Sequence, residues 1–503
     1  MVVIIIILDN YLKNINMRVP VTRKNIKFHP DASRVVIRYF NNSDQRNLKM
    51  IGHIMLLDEK QVIETLHEIL REFARRHRNI TQTFYKHCKE IKGLIEELGI
   101  NYNSLSDERK MLIGSYCTME YALESSALFN PSIVEDFDQS DLEIGEKRII
   151  LSFRATGEGH ISSIIFRRAI LDKNNDLHVM KIGENVEKPK IRKTLFNKER
   201  IVTKLAEMSS SNKYGIELMK DLPEMFEYSA LKEKINEALN DEEIGEEKKI
   251  ILEDLLWLVD SFYSLEFKHD SDITERVIFP MSDSESRGIE DARFVRFTDN
   301  DGSEKIFATY TAFNGHCILP KLISTEDFYS FNVMPLYGIG SKNKNLALFP
   351  RKVNGKYAML SRIDGVNNYL MYSDSVTQWD NPVILQEPRY SWEFTQIGNC
   401  GSPIWTAEGW LVITHGVGAM RRYCIGASLF DIHDPSKEIG RLKEPLLSPR
   451  EDEREGYVPN VVYSCGSIIH NNSLILPYAV SDYSSTYAVV DLAELLSALK
   501  NSK

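Results

Sequence analysis

Positive charge is not in excess here: 62 Lys and Arg stand against 72 Asp and Glu, a formal net charge of −10. Without a basic surplus the chain cannot neutralise a phosphodiester backbone, which excludes a general nucleic-acid binder and leaves only a local basic pocket. Cysteine is sparse and scattered. Cys88, Cys117, Cys317, Cys400, Cys424 and Cys465 include no C-x-x-C pair and no histidine at metal-ligand spacing, so no metal site and no disulfide framework is indicated. They read as reduced thiols in a cytoplasmic protein. Long hydrophobic runs are also missing. The apolar start, Met1-Val-Val-Ile-Ile-Ile-Ile-Leu8, falls far short of the roughly 20 residues a membrane-spanning helix needs, so no membrane partner is expected. It lacks the basic n-region and small-residue cleavage site of a signal peptide. It reads as a strand or as sequence upstream of a start at Met17, and Met17-Arg-Val-Pro20 is the more usual opening for a soluble chain.

What is present is 503 residues of ordinary globular composition, 43% hydrophobic and 27% charged, too long for one compact core. From Asp58 to Leu98 the apolar residues Val62, Leu66, Ile69, Leu70 and Phe73 recur at helical spacing, followed by a basic run through Arg75, Arg76 and Arg78 that reads as a solvated helix face. Ser106 to Ala127 reads as a second helix with an acidic first turn. A mainly helical domain over 1–125 follows, and its helices are compatible with a homo-oligomer. A second helical block, at about 190–262, interrupts a region that otherwise reads as β.

In that region five segments align on one another: Lys147 to Arg154, Glu304 to Thr311, Gly355 to Arg362, Glu408 to His415 and Asn472 to Ala479. Each is a run of apolar, β-branched and aromatic residues, followed by a turn and a second such run: His160 to Ile170, His316 to Ile323, Asn368 to Ser373, Tyr423 to Leu429 and Thr486 to Leu492. Repeating units of about 50 residues with several short strands each are a propeller signature. The fold class expected is mainly β: a five-bladed β-propeller over 126–503, with an N-terminal α-rich domain and a helical insertion. A short terminal helix from Leu492 to Leu499 completes it.

The ends of the aligned runs, Arg154, Thr311, Arg362, His415 and Ala479 with Asp482 just beyond, are rich in titratable groups, and buried charges are costly unless they pair or bind something. The densest polar cluster is Ser286-Arg-Gly-Ile-Glu-Asp-Ala-Arg293, where Glu290, Asp291 and Arg293 set two carboxylates beside a guanidinium. Similar turns precede the other runs: Phe129-Asn-Pro131, Leu348-Phe-Pro350, Gly398-Asn-Cys-Gly-Ser-Pro403 and Val458-Pro-Asn-Val-Val462.

These turns, with Gly409-Trp-Leu411, His415-Gly416, Gly426-Ala427, Asp434-Pro-Ser-Lys437 and Tyr478-Ala-Val-Ser-Asp482, resemble glycoside hydrolase family 130, the β-mannoside phosphorylases and β-1,2-mannosidases, from about Phe129 to Leu496. The resemblance implies a five-bladed propeller enzyme that acts on β-linked manno-oligosaccharides with inversion. It implies Asp291 as the catalytic acid, the aspartate of a Glu-Asp-Pro-Arg motif in which Ala292 here replaces proline, acting through the 3-hydroxyl of the mannosyl unit. It implies Asn130, Arg154, Glu290, Arg293 and Asp482 around the sugar, and Lys344, Arg362 and His415 around phosphate. Inorganic phosphate is then the co-substrate, with no cofactor and no metal. A hydrolase would instead need a carboxylate base, for which Glu393 or Glu158 is the candidate. A non-catalytic sugar-binding propeller is the alternative of another class. Trp392 reads as an acceptor-stacking or a core aromatic, and Thr414, where many relatives carry tyrosine, implies an altered pocket wall.

Overall fold

The computed structural model describes residues 19–192, 195–208, 213–240, 244–315 and 318–502; the expectations for Met1 to Leu8 and for Met17 lie outside them. Five antiparallel sheets follow one another along the chain, and each is built on one pair of runs read from the sequence. In the first, Ala127–Glu135, Lys147–Thr156 and Ser162–Leu171 pair in order. The second runs Gly288–Thr298, Glu304–Phe313, Ile318–Thr325 and Ser330–Pro335. In the third, Ala347–Leu348, Tyr357–Ser361, Asn368–Ser373 and Val383–Gln386 do the same. The fourth orders Gln396–Asn399, Gly409–Val417, Tyr423–Phe430 and Glu438–Arg441, and the fifth Val462–Tyr463, Ser473–Val480 and Ser484–Asp491. Gly409–Val417 is buried along its whole length. A strand covered on both faces has no reason to alternate polar and apolar residues, so it appears in the sequence as a continuous apolar run.

Hydrogen bonds join neighbouring sheets in a cycle. Phe294 N donates to Ser132 Oγ (3.1 Å) between the second and first. Thr309 Oγ1 donates to Leu346 O between the second and the turn before the third, and Asn399 Nδ2 to Asn345 O (2.6 Å) between the fourth and that same turn. Tyr423 N bonds Asn460 O at 3.0 Å, and Cys465 N bonds Pro131 O at 2.8 Å, which returns from the fifth sheet to the first. A separate apolar cluster fills each junction. Phe166 and Phe294 meet between sheets one and two, Phe297 and Met359 between two and three, and Phe349 and Trp410 between three and four. Ile413 and Leu476 meet between four and five, and Phe153 and Tyr487 between five and one. At 25 cal/mol per Å² of apolar area, each junction contributes many kcal/mol against chain entropy.

The N-terminal helices Asp44–Met55, Glu59–Phe73, Ile80–Glu90, Lys92–Glu97 and Asp107–Tyr116 share a core of Ile51, Val62, Ile95, Leu112 and Ile113. Asp58 opens the second with a capping box to Gln61, and Ser106 caps the last. That last helix ends at Tyr116, eleven residues short of the expected Ala127. Thr118–Ala122, with a β-branched and an aromatic residue, leaves it to pair with Val35–Tyr39. Nor is Arg75 to Arg78 a free helix face: Arg76 pairs with Glu120 (3.0 Å) and Arg78 with Glu275 (2.8 Å). The chain's beginning also reaches the last sheet, where Thr22–Arg23 pairs with Val489 and Ala488.

The insertion forms helices Lys198–Met208, Lys213–Leu218, Tyr228–Leu239 and Glu246–Asp260 around Leu205, Leu231, Ile235, Leu252 and Leu255. Its two ends, Lys190–Arg192 and Tyr263–Glu266, pair with each other, and the latter pairs with Ser330–Pro335. The helices are thereby fastened to the outer edge of the second sheet. Among the described residues no helix is long and apolar enough to cross a membrane, and the five described cysteines are free and buried.

Candidate active site

The strands Ala127–Glu135, Lys147–Thr156, Gly288–Thr298 and Gly409–Val417 carry Asn130, Arg154, Glu290, Asp291, Arg293 and His415, while Lys344, Arg362 and Asp482 lie in turns beside strands of the third and fifth sheets. On the first sheet the ladder slips between Phe129 and Ser132, and on the second between Glu290 and Arg293. Such β-bulges re-aim a side chain. Asn130 sits in one and Asp291 in the other, both left-handed at φ 49° and 55°. Asparagine and aspartate tolerate that conformation better than other non-glycine residues. The two positions match: proline follows Asn130 and Ala292 follows Asp291, so the bulge forms without the proline. Asn130 Nδ2 donates to Asp291 Oδ1 at 2.6 Å.

Arg154 approaches the same carboxylate at 3.6 Å and gives its other nitrogen to Glu290 Oε1 at 3.1 Å. Glu290 Oε2 takes Lys344 Nζ at 2.6 Å. Burial alone would raise the Asp291 carboxyl, but Arg154, Arg293 and Lys344, with the Asn130 hydrogen bond, outweigh it and hold that carboxyl below the usual range. Asp482, left-handed at φ 49°, has the opposite fate. Burial, then the nearness of Asp291, pushes its carboxyl up to about 6. Two carboxyls of one site are thus driven apart, the condition for distinct protonation roles.

A deeper layer supports them. Arg293 is 2% exposed; it donates to the Asp291 carbonyl (2.9 Å) and to Tyr463 Oη (2.6 Å), which also accepts from Asn345 Nδ2 (2.9 Å). Tyr463 therefore ties the fifth sheet to the strand carrying Asp291 and to the turn carrying Lys344. His415 lies edge-on to Tyr463 with ring centres 4.9 Å apart. Burial, then Arg362 and Arg293, keeps its imidazole well below the usual histidine range and neutral. With Nδ1 donating to Asn399 O (3.1 Å), Nε2 is left to accept from Arg362 Nη1 (3.1 Å). His415 thus orients a guanidinium and adds no charge of its own. Arg362 has no carboxylate within ion-pair distance among the described residues.

Buried polar atoms without a protein hydrogen bond collect here: Asn130 Oδ1, Arg154 Nε, Arg293 Nε, Asn345 Oδ1 and Arg362 Nε. Unsatisfied groups are few in a native interior, and a cluster marks a place where a polar ligand or water completes the bonding. No group of three or more His, Cys, Asp and Glu side chains suited to a metal occurs among the described residues.

Other candidates are placed elsewhere or differently. Glu393 is fully buried, its Oε1 held by Arg441 (2.7 Å) and by the amides of Arg389 and Tyr390. Glu158 lies exposed on the turn after Arg154. Trp392 packs flat against the fourth sheet, where an added Cβ at Gly416 or Gly426 would meet its ring at 2.6 Å and 2.5 Å, and its Nε1 donates to Lys443 O. The sequence reading missed Asn345, Asn399, Tyr463 and Glu285. Asn399 had a signal, since it lies within the pre-strand turn Gly398-Asn-Cys-Gly-Ser-Pro403, and Asn345, left-handed at φ 67°, follows the candidate Lys344 directly. Glu285 sits six residues before Asp291 and is wholly buried. It accepts from Tyr263 Oη (2.7 Å), Tyr310 Oη (2.6 Å), Lys321 Nζ (2.7 Å) and Met281 N (2.8 Å). Tyr263 follows the last insertion helix, and Ser261 Oγ, at that helix's end, meets Ser284 Oγ at 3.3 Å. The insertion therefore bears on the loop that enters the Asp291 strand.

A family model described as a beta-1,4-mannooligosaccharide phosphorylase matches residues 260–501. A 1,2-beta-oligomannan phosphorylase of Thermoanaerobacter sp. (strain X514) is 34% identical over 222 residues, covering 42% of this chain and 72% of that protein. A beta-1,2-mannobiose phosphorylase of Listeria innocua serovar 6a is 30% identical over 234 residues, 44% of this chain and 63% of that protein. Among solved structures, the beta-1,2-mannobiose phosphorylase of Listeria innocua in complex with beta-1,2-mannobiose aligns with TM-score 0.44 and 20% identity, over 75% of this chain and 93% of that one.

Proposed function

The chain belongs to glycoside hydrolase family 130, and from that premise we propose that it is an inverting phosphorylase of β-linked manno-oligosaccharides, releasing α-mannose 1-phosphate and a shortened acceptor. The ring of five sheets is read as a five-bladed β-propeller spanning 126–503, with Asp291 and its partners at one end of its axis. Free, buried thiols accord with a cytoplasmic setting.

The observation that carries the reading is the balance of charge around Asp291. Arg154 and Lys344 pair with Glu290, Arg154 also lies 3.6 Å from Asp291, and Arg362 has no carboxylate within ion-pair distance among the described residues. A phosphorylase needs such cations to collect a dianion, whereas an inverting hydrolase needs a free carboxylate to activate water. Glu393, locked against Arg441, cannot serve as that base. Asn130, Arg154, Glu290 and Asp482 hold the mannosyl unit, Arg293, expected at the sugar, instead supports Asp291 from the buried layer behind it, and Lys344 and Arg362 hold phosphate, with His415 positioning Arg362. Phosphate oxygen forms its bond to the anomeric carbon as the glycosidic C–O bond breaks. The proton leaves Asp291, passes through the 3-hydroxyl and ends on the departing oxygen.

The depressed acidity range of Asp291 in the free protein fits this sequence of events. A phosphate dianion arriving beside Lys344 and Arg362 offsets the cations that keep the carboxyl ionised, and so raises its proton affinity when the acid is needed. Asp482, whose carboxyl has no ion pair among the described residues, and the exposed Glu158 are the groups a hydrolytic alternative would draw on. Incubation with β-1,2- and β-1,4-manno-oligosaccharides, with and without phosphate, tests the reading and identifies the linkage. Mannose 1-phosphate is expected only when phosphate is present, and free mannose at an equal rate without phosphate overturns it.

A further inference from the structure

A second concentration of positive charge lies away from Asp291, in a cleft between the N-terminal helices and the segment that enters the insertion. The cleft encloses about 420 Å³, within the range of small-ligand sites. Its walls carry the cations Arg78, Lys86, Lys188, Lys190 and Lys268 against two carboxylates, Glu187 and Glu266. Both carboxylates are engaged, Glu187 with Lys268 at 3.5 Å and Glu266 with Arg192 at 2.8 Å. Arg78 is taken by Glu275. Lys86, Lys188 and Lys190 have no carboxylate within ion-pair distance among the described residues.

Lys188 extends to the carbonyl oxygen of Ile37, to which its amine donates. Burial, then repulsion from Arg38 and Lys86, pushes that amine down to about 8. His87 lines the same cleft. Its Nδ1 meets Thr118 Oγ1 at 2.7 Å, and burial, then Lys188 and Lys86, holds its ring at about 4. Lysines that repel one another across a solvent-open cleft are stabilised by an anion there, and phosphate, with several acceptor oxygens, can engage more than one ammonium. Asn79, Gln82 and Thr83 on the same wall add neutral donors and acceptors suited to hydroxyl groups. A polynucleotide is disfavoured by the net charge of −10.

We infer that this cleft binds a phosphate dianion, free or carried as the monoester of a sugar, at a site separate from the one that holds Asp291. Lys86 and Lys188 are its principal ligands.

The full chain is titrated calorimetrically with inorganic phosphate, with a hexose 1-phosphate and with the unphosphorylated hexose, as wild type and as Lys86→Ala/Lys188→Ala. The variant is expected to bind one phosphate fewer per chain and to keep its kcat on manno-oligosaccharide plus phosphate. A tenfold tighter second site for the hexose 1-phosphate assigns the monoester, and the reverse assigns free phosphate. Equal stoichiometry in the two proteins overturns the inference. Amine labelling of the wild type, read by mass spectrometry, gives an answer that does not depend on the variant folding. Phosphate at millimolar concentration is expected to slow labelling of Lys86 and Lys188 at least fivefold. Equal slowing by sodium chloride at the same ionic strength overturns the inference. Loss of the phosphorylase reading would leave both measurements interpretable, since neither labelled residue touches the Asp291 site.

Discussion

At the scale of single residues, Asn130 and Asp291 are the same structural position used twice. A bulge in one strand presents an amide and a bulge in its neighbour presents the acid, joined at 2.6 Å. A hydrogen bond to a charged group contributes about 1.5–3 kcal/mol, so Asn130→Ala is expected to lower kcat/KM by about 10- to 100-fold. Asn130→Asp, which sets two carboxylates face to face, is expected to lower it further and to shift upward the alkaline limb of the pH profile, which the acid Asp291 sets. Steady-state kinetics from pH 4.5 to 8 would check both. Asp482 makes a prediction of opposite sign. Its folded carboxyl sits at about 6 against about 3.9 in an unfolded chain, so the folded state binds the extra proton. The stability this provides is complete below about pH 4 and is lost as pH rises through 6. At pH 7.5 the ionised group costs on the order of 2–3 kcal/mol. Asp482→Asn should therefore raise the denaturation midpoint at pH 7.5 and leave it nearly unchanged at pH 4. An equal change at both values would contradict the assignment.

At the scale of elements, the knot around Glu285 decides whether the insertion is an appendage or a part of the catalytic frame. Glu285 and Lys321 are both fully buried and 2.7 Å apart. Removing one member of such a pair strands the other, at about 3–5 kcal/mol. Glu285→Gln is expected to destabilise by that order and to slow turnover by loosening the loop ahead of Asp291. A Glu285→Leu/Lys321→Met double replacement should recover most of the stability but not the rate. Denaturant titration alongside kcat would separate these outcomes.

The same scale shows what a sequence makes legible. The paired runs announced themselves because strands buried on both faces are continuous apolar stretches, and their observed bounds differ from the expected ones by a few residues. The helix expected from Ser106 to Ala127 overran because Thr118–Ala122 takes its conformation from Val35–Tyr39, a partner some 80 residues upstream. Glu285 was illegible for a related reason: its partners lie on three other strands, and an acidic residue in a serine-rich turn reads as surface. The proximity of Asn130 to Asp291 was likewise out of reach of spacing alone, since 160 residues and the whole insertion separate them. Only the likeness of the pre-strand turns suggested that they belong together.

For the whole molecule, the sheets form a cycle whose joint between last and first lies where Cys465 N meets Pro131 O. The beginning of the chain reinforces the last sheet: Thr22–Arg23 lies on its outer strand, and Arg23 reaches Glu453 at 3.2 Å and Ser448 O at 2.7 Å. Arg23→Ala is expected to expose the segment around residues 19–30 to limited proteolysis while leaving kcat within twofold, because the strands that carry Asp291 and Arg362 are elsewhere. Loss of activity in parallel with cleavage would show that the terminal strand bears on the site.

That pairing of residue 22 with residue 489 also sets a timetable. A ribosome adding about 5–20 residues per second delivers the first sheet roughly half a minute before the strand that must close against it. Through that interval Phe153 already has Phe28 against it but still lacks Ile475 and Tyr487, the last sheet's share of the same apolar cluster. Because residues 22 and 489 must meet, the junction between the last and first sheets is completed only late in synthesis.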